Sequence, residues 1–231
     1  MVKSGESIFI VLLGLLTVIL FNGCTGNVVS IDAEDSVSFT TLETSFPVSK
    51  NDIVTVKLRG SRTSGDYTQA VPDRMMILID DTQIRGPTTV SGSADLTYAS
   101  VSIGPDATLG NDKRIKGLIH IGVAQTNMDL TLVHEDTTYF TNDRTTELYM
   151  QWGLSYLIAP SLYGGGTMAF SLGPDLTGIR EIDLKLDYAL FEHLELMAGY
   201  RWLKYDYLVE DDESVIRINF KGPFIGLNVP F

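Results

Sequence analysis

Chemistry in a chain such as this would begin with its three histidines, His120, His134 and His193. His120 lies on the polar parity of an alternating segment. His134 heads the acidic stretch His134-Glu135-Asp136, and His193 sits in a short turn. None stands at metal-ligand spacing from another histidine or from the one cysteine, so no metal or other cofactor is expected. A nucleophilic site needs a hydroxyl held by a histidine base. Only His120 with Ser155, on neighbouring segments, suits that test, and no motif surrounds the pair. Gly164-Gly165-Gly166 lacks the Gly-Lys-Ser/Thr continuation of a phosphate loop and reads as strand glycines. Glu210-Asp211-Asp212-Glu213 is a solvated loop tip whose oxygens could also bridge calcium or magnesium to lipid phosphates. The expectation is no enzyme.

The elements that carry these residues alternate with period two. In Ile182 to Leu190 apolar residues hold the even positions and charges most of the odd ones. Leu194 to Trp202 alternates again, with Phe191-Glu192-His193 as the turn between them. No stretch sustains apolar residues at i, i+3, i+4 and i+7, so almost no helix is expected. Similar segments at about 52–65, 94–104, 114–133, 146–158, 163–172 and 214–231 bring the expected total to eight strands. Several exceed the usual five to six residues and reach the roughly 9–11 that cross a bilayer when tilted. Joins near 105–113, 159–161 and 191–193 are short. Those near 66–93, 134–145, 173–179 and 207–213 are longer and polar, and the two kinds alternate. Within 66–93, Met75 to Ile79 is an apolar run suited to a small extra strand or to folding over the mouth of a barrel. Gly222-Pro223 looks like a bulge that shifts the parity of the last segment.

Composition narrows the partners. The 231 residues carry a net charge of −12, which argues against a nucleic-acid binder and against electrostatic docking on an anionic membrane surface. Cys24 is the only cysteine, so no internal disulfide forms. Residues 1–23 contain an apolar run from Ile8 to Phe21, too short for a spanning helix and suited to a signal peptide. Its end, Leu20-Phe21-Asn22-Gly23-Cys24, resembles a bacterial lipoprotein signal, which would make Cys24 the lipidation site. Residues 24–50, rich in Ser and Thr, are expected to be the lipidated Cys with a linker or short plug, and 51–231 the folded domain.

Alternation alone does not say which face is inside. Pairing Leu190 with Leu194 across the turn sets Asp183 opposite Arg201 and Lys185 opposite Gly199. Asp187, Glu195, Arg217 and Lys221 share the polar parity, as do Glu147 and Gln151. In a narrow barrel such charges would form ion pairs in the lumen. Trp152, Tyr156, Tyr188, Tyr200 and Trp202 fall on the apolar parity, where a membrane barrel carries its aromatic girdle.

The ending "GPFIGLNVPF", preceded by "GYRWLKYDYL", resembles the closing hairpin of small bacterial outer-membrane β-barrel proteins, whose last strand commonly finishes on Phe. The resemblance covers residues 94–231 and, more weakly, 52–65. It implies a closed, eight-stranded, antiparallel up-and-down transmembrane β-barrel in the bacterial outer membrane. It also implies a monomer among outer-membrane lipids and lipopolysaccharide, with Phe231 as the signal read by the barrel-assembly machinery. Pro230 departs from the pattern, because it cannot donate to a ladder. The expected role is structural or surface-interacting. A soluble lipocalin-like lipoprotein holding an apolar ligand and a lipid-modifying outer-membrane enzyme are the alternatives.

Overall fold

The computed structural model describes residues 27–33, 35–48, 53–73, 75–79, 82–109, 114–173, 178–208 and 214–231. Among the described residues the chain is all-β, with twelve strands. They are β1 (Asn27–Ala33), β2 (Asp35–Pro47), β3 (Val54–Val71), β4 (Met76–Ile79), β5 (Thr82–Arg85), β6 (Thr88–Leu109), β7 (Ile115–His134), β8 (Thr137–Ala159), β9 (Leu162–Leu172), β10 (Gly178–Phe191), β11 (Leu194–Leu208) and β12 (Ser214–Pro230).

Ten strands form one sheet in the order β1-β12-β11-β10-β9-β8-β7-β6-β3-β2, and β12 pairs with β2 as well. Nine strands, β2, β3 and β6 to β12, therefore pair in a ring. The expected eight-stranded antiparallel arrangement is corrected on both counts. Neighbours from β2 to β12 run antiparallel, but β12 meets β2 in parallel, from Phe224↔Phe39 to Pro230↔Ser45. An odd number of alternating strands leaves the first and last pointing the same way, so their contact has to be parallel. β1 continues this seam along the other half of β12, from Asn27↔Ser214 to Ala33↔Phe220. The stretch expected as a linker or plug thus supplies the strands that complete the ring.

β3, β6 and β8 run well past the expected boundaries, whereas β7 matches the expected 114–133 to within a residue. The long loop expected at 134–145 is strand up to a two-residue turn, where Glu135 takes φ 54°. Ser161, with φ 66°, plays the same part between β8 and β9. The Met75–Ile79 run becomes half of a β4–β5 hairpin inserted between β3 and β6. Ile77, Ile79 and Ile84 of that hairpin are buried in the main apolar core.

Polarity inverts along the strands. At the end holding the hairpin, the interior is apolar: Leu96, Leu130, Leu203, Ile218 and Phe220 are buried together. The outward residues there are polar, as in Arg62, Ser64 and Asp66 of β3 or Gln125, Asn127 and Asp129 of β7. Toward the other end both faces change. Outward positions become Val101 and Ile103, Ile121 and Val123, Leu154 and Ile158, Leu184 and Leu186, and Ile225 and Leu227, all exposed. Inward positions become Lys57, Arg59, His120, Gln151, Glu181, Asp183 and Arg201, all buried. Strand parity never changes in β12: its register with β11 runs unbroken from Glu195↔Asn228 to Leu208↔Val215. The bulge expected at Gly222-Pro223 is absent. The environment changes there, not the backbone.

Candidate functional site

Partway along the strands, charged side chains from β2, β3, β10 and β11 meet in the interior. Arg201 grips Asp183 in a two-pronged pair, Nε to Oδ1 at 2.7 Å and Nη2 to Oδ2 at 2.8 Å. Its Nη1 donates to Thr41 and Ser61 at 3.0 and 2.8 Å. Arg59 reaches across the ring from β3 to β10, donating to Glu181 Oε1 at 2.6 Å and approaching Asp183 at 3.3 Å. Glu43 pairs with Lys57 at 2.9 Å, and its Oε1 lies 3.2 Å from Arg59 Nε, an ion-pair contact without a hydrogen bond. The Tyr98 hydroxyl donates to Glu181 Oε2 at 2.6 Å, and the guanidinium of Arg201 lies 4.7 Å from the Phe224 ring centre.

Three cations, Lys57, Arg59 and Arg201, thus meet three anions, Glu43, Glu181 and Asp183. Buried charge is tolerable only when paired and hydrogen-bonded. Arg supplies the planar fork that such pairing uses. The expected Asp183↔Arg201 and Lys185↔Gly199 oppositions are both present in the ladder. Leu194 pairs with Phe191 instead of Leu190, because the register slips between Ala189 and Phe191.

Below the cluster lies a cavity of about 270 Å³ lined by Lys57, Asp106, Lys116, Lys185, Asp187 and Glu195, among others. Lys185 pairs with Asp187 at 3.0 Å, and Asn228 donates to Glu195 at 2.7 Å. Lys116 sits 3.9 Å from the centre of the Tyr163 ring. Above the cluster, the Tyr67 hydroxyl donates to the Thr131 carbonyl at 2.9 Å and that of Tyr205 to Asp143. Burial pushes both phenols above their ordinary range, so they stay protonated donors.

Two residues expected in the lumen are elsewhere. Arg217 and Lys221 point outward on β12, because the inward positions are Ile216, Ile218 and Phe220. Arg217 pairs on the outer face with Asp206 at 2.7 Å, and Arg180 holds the same carboxylate at 3.1 Å. Asp183, Arg201, Lys185, Asp187 and Glu195 do face inward, as do Glu147 and Gln151. The five expected girdle aromatics face outward. Tyr156, Tyr188, Tyr200 and Trp202 are exposed; Trp152 packs edge-on against Phe170. Phe231 stacks on Phe46 with ring centres 4.9 Å apart, joining the end of β12 to β2. Cys24 and the acidic run 210–213 lie outside the described residues.

His120 and Ser155 are not brought together: His120 sits opposite Gln151, and Ser155 opposite Lys116. His120 instead bridges Asp106 Oδ1 at 2.9 Å and Ser102 Oγ at 3.4 Å, with Thr55 Oγ1 at 3.3 Å from the same nitrogen as Asp106. The imidazole is fully buried and Ser102 nearly so, which leaves no approach for a substrate to that hydroxyl. The group works as a brace between β3, β6 and β7. His134 bonds Thr88 at 3.1 Å, and His193 the Pro230 carbonyl at 3.1 Å. Among the described residues, no group of three His, Cys, Asp or Glu side chains is placed to hold a metal ion.

Lys57, Arg59 and Glu43 were not singled out in the sequence. For the first two a signal existed, the alternation of Val54, Val56 and Leu58 with Thr55, Lys57 and Arg59. Glu43 had none, since it lies in a stretch read as linker. No family model matches the chain, and comparisons with curated proteins and with solved structures found no match.

Proposed function

We propose that this protein is a non-enzymatic β-barrel of the bacterial outer membrane, with a closed lumen and a structural or surface-interaction role. One observation carries the reading. A band free of outward charge runs round all nine strands of the ring, and it lies over the ionised part of the interior. Its outward positions occupy residues 182–190, 115–123 and 194–202, nine residues each, and 99–109 and 148–158, eleven each. Those are the lengths, about 9–11 tilted residues, with which strands cross a bilayer. A water-soluble surface made of Val101, Ile121, Leu154, Leu184 and Ile225 would be one large apolar patch, far beyond the few hundred Å² soluble monomers expose.

The same band argues against a lipocalin-like ligand carrier, whose apolar face would line the interior at that level. The polar-skinned, apolar-cored half is then the part standing above the membrane, capped by the β4–β5 hairpin. The β12–β2 pairing supports closure of the cylinder, which spares a transmembrane sheet an unpaired edge. The ionic cluster, with Arg59 bonded to Glu181 across the ring, and the apolar core above it argue against broad solute conduction as the role. A lipoprotein anchor at Cys24, engagement of the assembly machinery by Phe231 and contact with lipopolysaccharide belong to the same proposal.

Fractionation tests it. The full chain should stay with membranes through a carbonate wash, require detergent for release, and migrate differently on gels when heated. Recovery in the soluble fraction, with Cys24→Ala released from membranes altogether, would overturn the reading in favour of a soluble carrier.

A further inference from the structure

The outward face of β2, β3 and β6 differs from the rest of the band. Thr40, Arg62 and Thr97 form one row across the three strands, Thr40↔Arg62↔Thr97 in register. All three are exposed. The next row toward the apolar end is Leu42, Gly60 and Ala99, again in register. Two of its three residues are the smallest available, and a Cβ built on Gly60 would meet no atom within 4 Å. The result is an open groove of about 640 Å³ whose walls include Leu42, Ile225 and Leu227 and whose upper edge is Arg62.

The outward cations near this level divide by whether they have a partner. Arg144 is bonded to Gln125 at 3.2 Å, and Arg180 and Arg217 share Asp206. Like that of Lys204, the Arg62 side chain forms no hydrogen bond or ion pair with the described residues. A guanidinium flanked by two hydroxyls matches the oxygens of a phosphate, which it can hold through two parallel N–H bonds. An apolar trough directly below takes a hydrocarbon chain. The charge calls for an anion and the trough for a chain attached to it.

We propose that this groove binds an anionic phospholipid of the surrounding bilayer, its phosphate on the Thr40–Arg62–Thr97 row and one acyl chain along Gly60. The proposal rests on the membrane reading above. Small side chains in the trough admit the chain close to the backbone, where a Leu at position 60 would fill the space. A zwitterionic headgroup meets the same trough but brings no net charge to Arg62, so selectivity resides in the row and affinity in the trough.

The test uses the full chain in nanodiscs of mixed phosphatidylglycerol and phosphatidylcholine. Lipids retained after transfer to detergent are counted by native mass spectrometry. Wild type should keep phosphatidylglycerol over phosphatidylcholine by about tenfold, the scale of one charge-assisted contact. Arg62→Gln should abolish the preference, and Gly60→Leu should lower retention of both lipids. Arg144→Gln, at the same border, should leave the preference intact. Equal retention of the two lipids by wild type, or equal loss in Arg144→Gln and Arg62→Gln, overturns the site while leaving the membrane reading standing. Failure of wild type to enter the discs overturns both.

Discussion

Arg201→Met offers the sharpest test of the interior. Met keeps much of the side-chain length and apolar stem but removes every donor of the guanidinium. Asp183 would lose both bonds of its two-pronged pair, leaving Arg59 at 3.3 Å and Thr167 at 3.5 Å. Thr41 and Ser61 would each lose a donor. Asp183 is only 2% exposed, so water cannot replace what is lost. Removing one partner of such a buried pair costs about 3–5 kcal/mol. With a denaturant slope of about 2 kcal/mol per M, the urea midpoint in detergent falls by about 1.5–2.5 M. Unfolding would be followed by the gel shift between unheated and heated forms. The double variant Asp183→Leu/Arg201→Met removes both charges and should recover most of the loss, since an apolar pair of similar volume is often as stable as the ion pair. A midpoint for Arg201→Met within about 0.25 M of wild type, which is about 0.5 kcal/mol and the usual range of a surface change, would refute a buried, paired cluster. A double variant worse than the single would refute the pairing of Asp183 with Arg201.

Leu184→Arg, in the apolar band and 56% exposed, should destabilise the membrane-inserted protein by about 2–4 kcal/mol, whereas Thr97→Arg above the band should cost less than about 1, measured by the same gel-shift titration. Gly199→Ala should cost about 1–3 kcal/mol, because the new Cβ would stand 2.1 Å from the Leu184 carbonyl oxygen; Gly60→Ala, with open space, should be close to neutral. In planar bilayers the wild type should give no steady conductance, since Arg59 and Glu181 meet across the ring at 2.6 Å; porin-sized open steps would contradict that.

Part of this design could be read directly from the residues. Between β10 and β11 the alternation is clean and the turn short, so the opposition of Asp183 and Arg201 followed from counting outward from the turn. The apolar side of 182–190 and 194–202 also faces outward, as the resemblance implied. Other features were hidden for one physical reason. Period-two spacing fixes that two faces differ but not which one is inside. In β12 the inward face is Ile216, Ile218 and Phe220 at one end and Gly222, Phe224, Gly226 and Asn228 at the other, with unchanged parity, while the outward face becomes Ile225 and Leu227. Read as one environment, that switch mimics a bulge, and it put Arg217 and Lys221 on the wrong side. The polar residues of 134–145 look like a loop because they clothe the polar-skinned half of long strands. β2 was obscured because Thr40, Thr41 and Thr44 blur its alternation, and its pairing partners lie some twenty residues away in β3 and at the far end of the chain. No local pattern announces a parallel seam between first and last strands.

The inversion of polarity along the ring is the claim on which the rest depends, and spin labels test it most directly. In a Cys24→Ala background reconstituted into vesicles, labels would be placed singly at Leu184, Val123 and Ile225 in the band and at Asn127, Ser64 and Lys204 above it. The first three should relax with oxygen dissolved in the lipid and be shielded from a water-soluble nickel chelate; the last three should show the reverse. Equal access of the chelate to both sets would contradict a hydrocarbon-facing band and end this account of the fold.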